Sequence, residues 1–234
     1  MERSYDKEMM DLPDNLPEIL AEDLNNLRIL NRYLSGSRSV MSALQQAVGD
    51  ELPKELSILD VGTGSADIPA AIFAWAKRRK VAANIVAVEA DWITARIAAD
   101  QTRKLGAIKI IRADARALPF SPGSFDFVIA SQFLHHFSED RIIELLKHWA
   151  TLGRRAIVIS DLIRSPIAYF GIRLLTKLAT RNVMTLIDAP LSVRRAFTFS
   201  EWHRLLSQAD IGPVKMFSVC PFRMAAVVQL GGRQ

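Results

Sequence analysis

Residues Ser57–Lys80 read SILDVGTGSADIPAAIFAWAKRRK, and this stretch fixes the fold class of the chain around it. An apolar-rich run, Ile58 to Val61, breaks at a turn containing Gly62 and Gly64, and a helical pattern follows that closes on the cations Lys77 to Lys80. Glycines at such a turn let the backbone approach a ligand closely. Pro69 suits a first helical turn and the cations suit the last, where the helix dipole is negative. Two acids then qualify the ligand. Asp60 precedes the turn, and Asp67 stands where a dinucleotide site has its third glycine. Asp67 is expected either to cap the helix or to touch the ligand. A helix N-terminus welcomes phosphate, but Asp67 puts a like charge in the same small space. The expected ligand has no phosphate and carries a cationic amine.

The alternation continues outward. Short β-branched runs at 84–89 (NIVAVE), 108–113 (IKIIRA), 125–130 (FDFVIA) and 155–161 (RAIVISD) join 57–61 as expected strands. Their few polar interruptions suit parallel strands buried on both faces. Helical patterns fill 68–80, 91–105 and 139–151, with Asp91 the expected cap of the second. This order predicts an α/β fold, a doubly wound, mostly parallel, seven-stranded sheet with right-handed crossovers. Upstream, Leu20, Leu24, Leu27 and Leu34 mark a helix over 15–34, and Val40, Met41, Leu44 and Val48 mark another over 38–48.

After Asp161 the alternation pauses. Ile167, Phe170, Leu174, Leu175 and Leu178 share one helical face, while Arg173, Lys177 and Arg181 fall largely elsewhere. That face is either core or the wall of an acceptor pocket. The segment SEWHRLLSQAD resumes the pattern, with Ser200 the expected cap and Gly212-Pro213 the stop. Strands at 214–219 and 223–230 are expected to close the chain as an antiparallel hairpin. The expected organisation is an N-terminal helical cap over 1–50 and a ligand-binding domain over 51–234, with 165–198 inserted as its lid.

Half of the 234 residues are hydrophobic, enough for one well-buried domain. The net charge of +5 is mildly basic, and no interleaved aromatic-basic stretch accompanies it, so no nucleic acid partner is expected. The single cysteine, Cys220, excludes an intramolecular disulfide and gives no sign of a metal site; no metal is expected. MERSYDKEMMDLPD is charged and lacks the apolar core of a signal peptide. No run approaches the roughly 20 apolar residues of a membrane span. A cytoplasmic monomer or homodimer is expected, with a mean hydropathy of +0.12 that is high for that class.

The sequence ILDVGTGSADIP resembles motif I of the class I S-adenosylmethionine-dependent methyltransferases, and further matches follow in order. VAVEAD puts Glu89 at the end of the second strand, where this family holds the ribose diol. IRADARALPF puts Asp114 after the third strand, where an acid meets the adenine amino group, and LPFSPGSFDFVIA resembles the run into strand four. The resemblance spans residues 50–230 and is similar to the ubiquinone/menaquinone-biosynthesis type. It implies S-adenosylmethionine as cofactor, a ligand with a cationic sulfonium and ammonium and no phosphate. The implied contacts are Asp60, Gly62, Thr63, Gly64, Asp67, Glu89, Ala90, Asp114, Ala115 and Ser131. Ala66 departs from the glycine common in relatives, and TLGRRAIVISD lacks the usual Pro-Gly-Gly. Trp92 is a candidate to flank the adenine or to join the core.

Methyl transfer needs a base only if the acceptor arrives protonated, as a phenol does. Ligands of doubly wound sheets bind outside the carboxyl ends of the strands. His135 or His136 in QFLHHF, after strand four, is the expected base, and Asp161 either orients a histidine or binds the acceptor, or else pairs with Arg164 or caps the next helix. Arg194 and Arg195 are expected to face an acidic or phenolic group of a small, apolar, aromatic or quinone-like acceptor. The alternatives are an RNA or protein methyltransferase, a nicotinamide dehydrogenase opposed by Asp67, and a non-catalytic protein that binds anionic membranes through 165–181.

Overall fold

A computed structural model describes residues 1–12 and 15–231. Its strands are β1 (Glu55–Val61), β2 (Ala82–Glu89), β3 (Ile108–Arg112), β4 (Phe125–Ser131), β5 (Gly153–Leu162), β6 (Val214–Val219) and β7 (Arg223–Gln229). They form one seven-stranded sheet in the order β3-β2-β1-β4-β5-β7-β6. Pairing is parallel from β3 through β5 and antiparallel at β7, which lies between β5 and β6. The doubly wound sheet and its closing hairpin are as the sequence predicts.

The helices are α1 (Pro17–Tyr33), α2 (Gly36–Val48), α3 (Asp67–Arg78), α4 (Trp92–Thr102), α5 (Glu139–Leu152), α6 (Pro166–Ala179), α7 (Val183–Arg195) and α8 (Phe199–Ala209). Successive strand residues face opposite sides, and both sides are buried. Leu56, Ile58, Phe127, Ile129, Ala156 and Val158 meet α2 and α3, through Val40, Leu44, Ile68 and Ile72. Leu59, Val61, Val128, Ala130, Ile157 and Ile159 meet α5 and α8, through Ile142, Trp149, Trp202 and Leu205. Of the two helices in the expected 1–50 cap, α2 packs on β5 and β7, while α1 packs on α2, α4 and α7. Residues 1–12 run over α7: the Met9 and Met10 amides donate to the Asp188 carboxylate at 2.8 and 2.9 Å.

Three local expectations are corrected. Asp67 does not cap α3: Ala66 occupies the N-cap position in a left-handed conformation, φ 58°, and Asp67 is the first helical residue. Thr198, not Ser200, caps α8, in a reciprocal capping box with Glu201. That helix ends at Ala209 on the left-handed Asp210, before Gly212-Pro213. The leucine face of α6 is not core: Ile167, Phe170, Leu174 and Leu178 are 61–79 % exposed. Asp91 does cap α4, accepting from the Thr94 amide at 2.8 Å.

Trp149 ties this packing to the ligand side of the sheet. It is fully buried, and its indole N–H donates to the Ala115 carbonyl at 3.1 Å. Trp149→Phe keeps an aromatic ring but leaves a small cavity and strands that carbonyl. We expect a loss of about 1–3 kcal/mol, read as a lower urea midpoint with an unchanged slope.

Candidate active site

Parallel strands that end level bring distant residues to one edge. The ends of β1, β2, β4 and β5 carry Asp60, Glu89, Ser131 and Asp161, and these ends border a cavity of about 950 Å³. Asp60, Glu89 and Ser131 line it, together with the glycine turn, His135, His136 and parts of α1, α6 and α7.

The glycine turn bends back on β2, with the Gly62 and Thr63 amides both donating to the Val88 carbonyl at 3.0 Å. Gly62 has φ +71°, and a Cβ there would stand 2.1 Å from the Phe133 ring, so glycine lets that aromatic lie against the turn. Gly64 has φ +54° and nothing within 4 Å of its Cβ position, leaving space above the turn. Ala66 takes the left-handed conformation without a glycine's freedom, a strained position of the kind that concentrates at ligand sites.

Acids crowd this turn. Asp60 is 2 % exposed; burial pushes its carboxyl up to about 7, and Asp67 and Glu89 add like-charge repulsion. Burial also raises Asp67, which accepts from Asn31 Nδ2 at 3.2 Å. Glu89 is raised by burial too, against three backbone amides that hold its carboxylate: Gly64 at 3.0 Å, Ala90 at 2.9 Å and Asp91 at 3.2 Å. A phosphate has no place among three carboxylates, whereas a cationic amine relieves them. The Ser131 hydroxyl is buried without a hydrogen-bond partner among the described residues, a polar group left for a ligand.

The remaining residues expected to meet the cofactor differ in their surroundings. Ala90, Asp114 and Ala115 line the cavity. Asp114 is gripped by Arg116, whose Nε donates at 2.8 Å, and this contact holds its carboxyl below the usual range. The pair is exposed and easily exchanged for a ligand contact. Trp92 is neither core nor wall; it is exposed on the outside of α4.

At the other end, Asp161 accepts from His135 twice, from its amide at 3.2 Å and from Nδ1 at 2.7 Å. Asp161 therefore orients His135; Arg164 pairs with Glu201 instead, at 2.7 Å. Burial opposes a charge on His135, but Asp161 and then Glu8 outweigh it and push the imidazole up to about 9. His136 Nδ1 meets Asp11 at 2.8 Å. Arg194 and Arg195 do not line the cavity. The Arg194 carbonyl accepts from the Ser4 amide at 3.0 Å, and Arg195 is buried, donating to the Asp6 and His136 carbonyls at 2.9 and 2.8 Å. Both hold the N-terminal segment rather than facing an acceptor.

Sequence reasoning missed several wall residues. Glu8 and Asp11 come from the N-terminal segment, and Asn31 from α1 bridges Asp67 to Gln132. Gln132 is itself left-handed, φ 51°, directly after β4. Arg223, at the start of β7, is buried against the cavity with Nη1 unpartnered among the described residues, and burial lowers it to about 10. A polar residue after a strand end was the only signal for Gln132; the others had none.

Residues 58–155 match the sequence model of the methyltransferase domain. No curated protein matches. Among solved structures, an S-adenosylmethionine-dependent methyltransferase from Aquifex aeolicus superposes with a TM-score of 0.65 at 14 % identity, over 90 % of this chain and 98 % of that one. An O-methyltransferase family 2 protein from Planctomyces limnophilus, in complex with apigenin, gives 0.65 at 15 % identity, over 94 % and 63 %. The magnesium protoporphyrin IX methyltransferase of Synechocystis, with bound SAH, gives 0.56 at 16 % identity, over 82 % of each chain. These likenesses share the fold. With the methyltransferase-domain match over residues 58–155 and the acid-flanked glycine turn, they support an S-adenosylmethionine-dependent methyltransferase, an enzyme with S-adenosylmethionine as its cofactor.

Proposed function

We propose that the enzyme methylates a hydroxyl of a small, apolar, aromatic or quinone-like acceptor, working in the cytoplasm and drawing that acceptor from a membrane surface. The observation that carries this is the two-ended cavity: carboxylates at the glycine turn, histidines at the far end, and apolar walls between. Those walls are Leu27, Leu30, Ile172, Leu175 and Val193.

When bound, the cofactor supplies a methyl group on a positively charged sulfur, already activated for displacement. Asp60 then holds its ammonium group, with Asp67 adding negative potential. Glu89 accepts from the ribose diol with the lone pairs its backbone amides leave free; those amides fix the carboxylate in place beforehand. Asp114 meets the adenine amino group, and the Ala115 amide a ring nitrogen. Arg223 supplies the cation for the carboxylate of the amino-acid moiety. The walls exclude water and align the acceptor, which is much of the work in an in-line displacement. His136, oriented by Asp11, removes the acceptor's hydroxyl proton, while His135, kept protonated by Asp161 and Glu8, faces the charge that develops.

The outside of α6 supports the membrane source. Ile167, Phe170, Leu174 and Leu178 form an exposed apolar stripe, and Ile167 also lines the cavity. Residues 162–187 contain Arg164, Arg173, Lys177 and Arg181 and no acid. Such a face complements an anionic bilayer surface, whereas two copies of it would repel. Among the described residues no helix is long and apolar enough to cross a membrane.

Three outcomes are expected. Calorimetry with S-adenosylhomocysteine should show binding that falls below pH 7, because the Asp60 carboxyl near 7 must lose its proton to meet the ammonium. Above pH 7 the affinity should level off, and Asp60→Asn should abolish the step. Glu89→Ala should weaken binding by about 2–3 kcal/mol; unchanged affinity removes the ribose assignment. Vesicles with anionic lipid should co-sediment the protein in a salt-sensitive way, and Phe170→Ser with Leu174→Ser should release it without altering cofactor affinity.

A further inference from the structure

We propose that Glu8, His135 and His136 form a binding site for one divalent transition-metal ion of the zinc class. The three offer a carboxylate oxygen and two imidazole nitrogens that all lie within 4.8 Å of one another. Each histidine has its Nδ1 on a carboxylate: His135 on Asp161 at 2.7 Å, His136 on Asp11 at 2.8 Å. Those carboxylates can only accept, so each Nδ1 carries a proton and Nε2 is the atom that faces a metal, which displaces any proton held there when it binds. A carboxylate behind each metal-facing imidazole is the outer-shell arrangement that orients metal-binding histidines.

Both Nε2 atoms face the buried Glu8 carboxylate, at 3.6 Å from His135 and 3.9 Å from His136. A shared proton would draw such a pair in to about 2.7–2.9 Å. Glu8 Oε1 and His135 Nε2 are instead both buried without a hydrogen-bond partner among the described residues. Ligand atoms about 2.1 Å from a tetrahedral metal stand about 3.4 Å apart; the histidines approach different Glu8 oxygens, so a metal would draw the group closer. Arg195 approaches Glu8 Oε1 at 3.8 Å and Asp11 at 3.5 Å, but its hydrogen bonds go to the Asp6 and His136 carbonyls. Arg3, which donates to the His135 carbonyl, and Arg223, which feels Asp161, are further cations nearby, and against these three arginines stand the carboxylates Glu8, Asp11, Asp161 and Asp188.

All three ligands line the cavity, so the fourth position opens onto it. This part of the inference rests on the function proposed above. With the metal bound, the histidines serve as its ligands and no longer as the base: an acceptor hydroxyl on the ion would lose its proton to water, leaving the oxyanion for methylation.

The test uses the tag-free chain. After metal removal it is titrated with Zn²⁺ by calorimetry, and loaded with Co²⁺ for its visible spectrum. One ion per chain and a low-coordinate Co²⁺ spectrum are expected. Glu8→Gln and His136→Ala should each weaken Zn²⁺ binding by about tenfold or more, and Asp161→Asn by about 10–100-fold, with circular dichroism showing each variant folded. A folded parent that binds S-adenosylhomocysteine but no stoichiometric metal overturns the site. So does equal Zn²⁺ affinity in the parent and Glu8→Gln, which is isosteric and should fold. Zn²⁺ binding without S-adenosylhomocysteine binding upholds the metal site while the assigned cofactor contacts fail.

Discussion

Carboxylates buried at the ends of level, parallel strands are the constraint on which the molecule turns. β1 and β2 run in register, with Val61 opposite Val88, and the backbone bonds that hold them level also hold Asp60 and Glu89 at one edge. Neither acid can retreat into water without breaking the sheet. Asp60, 2 % exposed, is pushed up to about 7 by burial and by its acidic neighbours. Such a site stores unfavourable electrostatic energy that a bound cation releases, and the same energy rejects phosphate. Glycine turns after a first strand serve many ligands; the charges around this one select among them.

The acceptor end is built differently. There the groups come from segments far apart in the chain: Glu8 and Asp11 from the N-terminal segment, His135 and His136 after β4, Asp161 at the end of β5. The N-terminal segment is held by Asp188 through the Met9 and Met10 amides, and by Arg195 through the Asp6 carbonyl. α7 therefore serves as the anchor of a strap that completes the site. This explains why Arg195, a basic residue near the cavity, does not point into it.

α6 separates two environments. Its inner side carries Ile172 to the cavity and its outer side presents Phe170, Leu174 and Leu178 to the surroundings. Basic residues lie beside this exposed apolar patch: Arg164, Arg173, Lys177 and Arg181 fall within residues 162–187. Cavity wall and exposed apolar face are thus carried by a single helix.

The sequence by itself determined the sheet and the strand order of the acids, because each of these is a local property. Strand periodicity, glycines at a strand end and acids one residue from a turn are written in contiguous residues. Errors stayed small where competing local signals were close, as with Thr198 against Ser200, or Ala66 against Asp67. Only the tertiary structure decided which way the α6 face points, where Arg195 goes and what stands opposite the histidines. Helical spacing shows that residues share a face but not what that face meets. A convergence of Glu8, His135 and Asp161 depends on chain segments that nothing local in the sequence links.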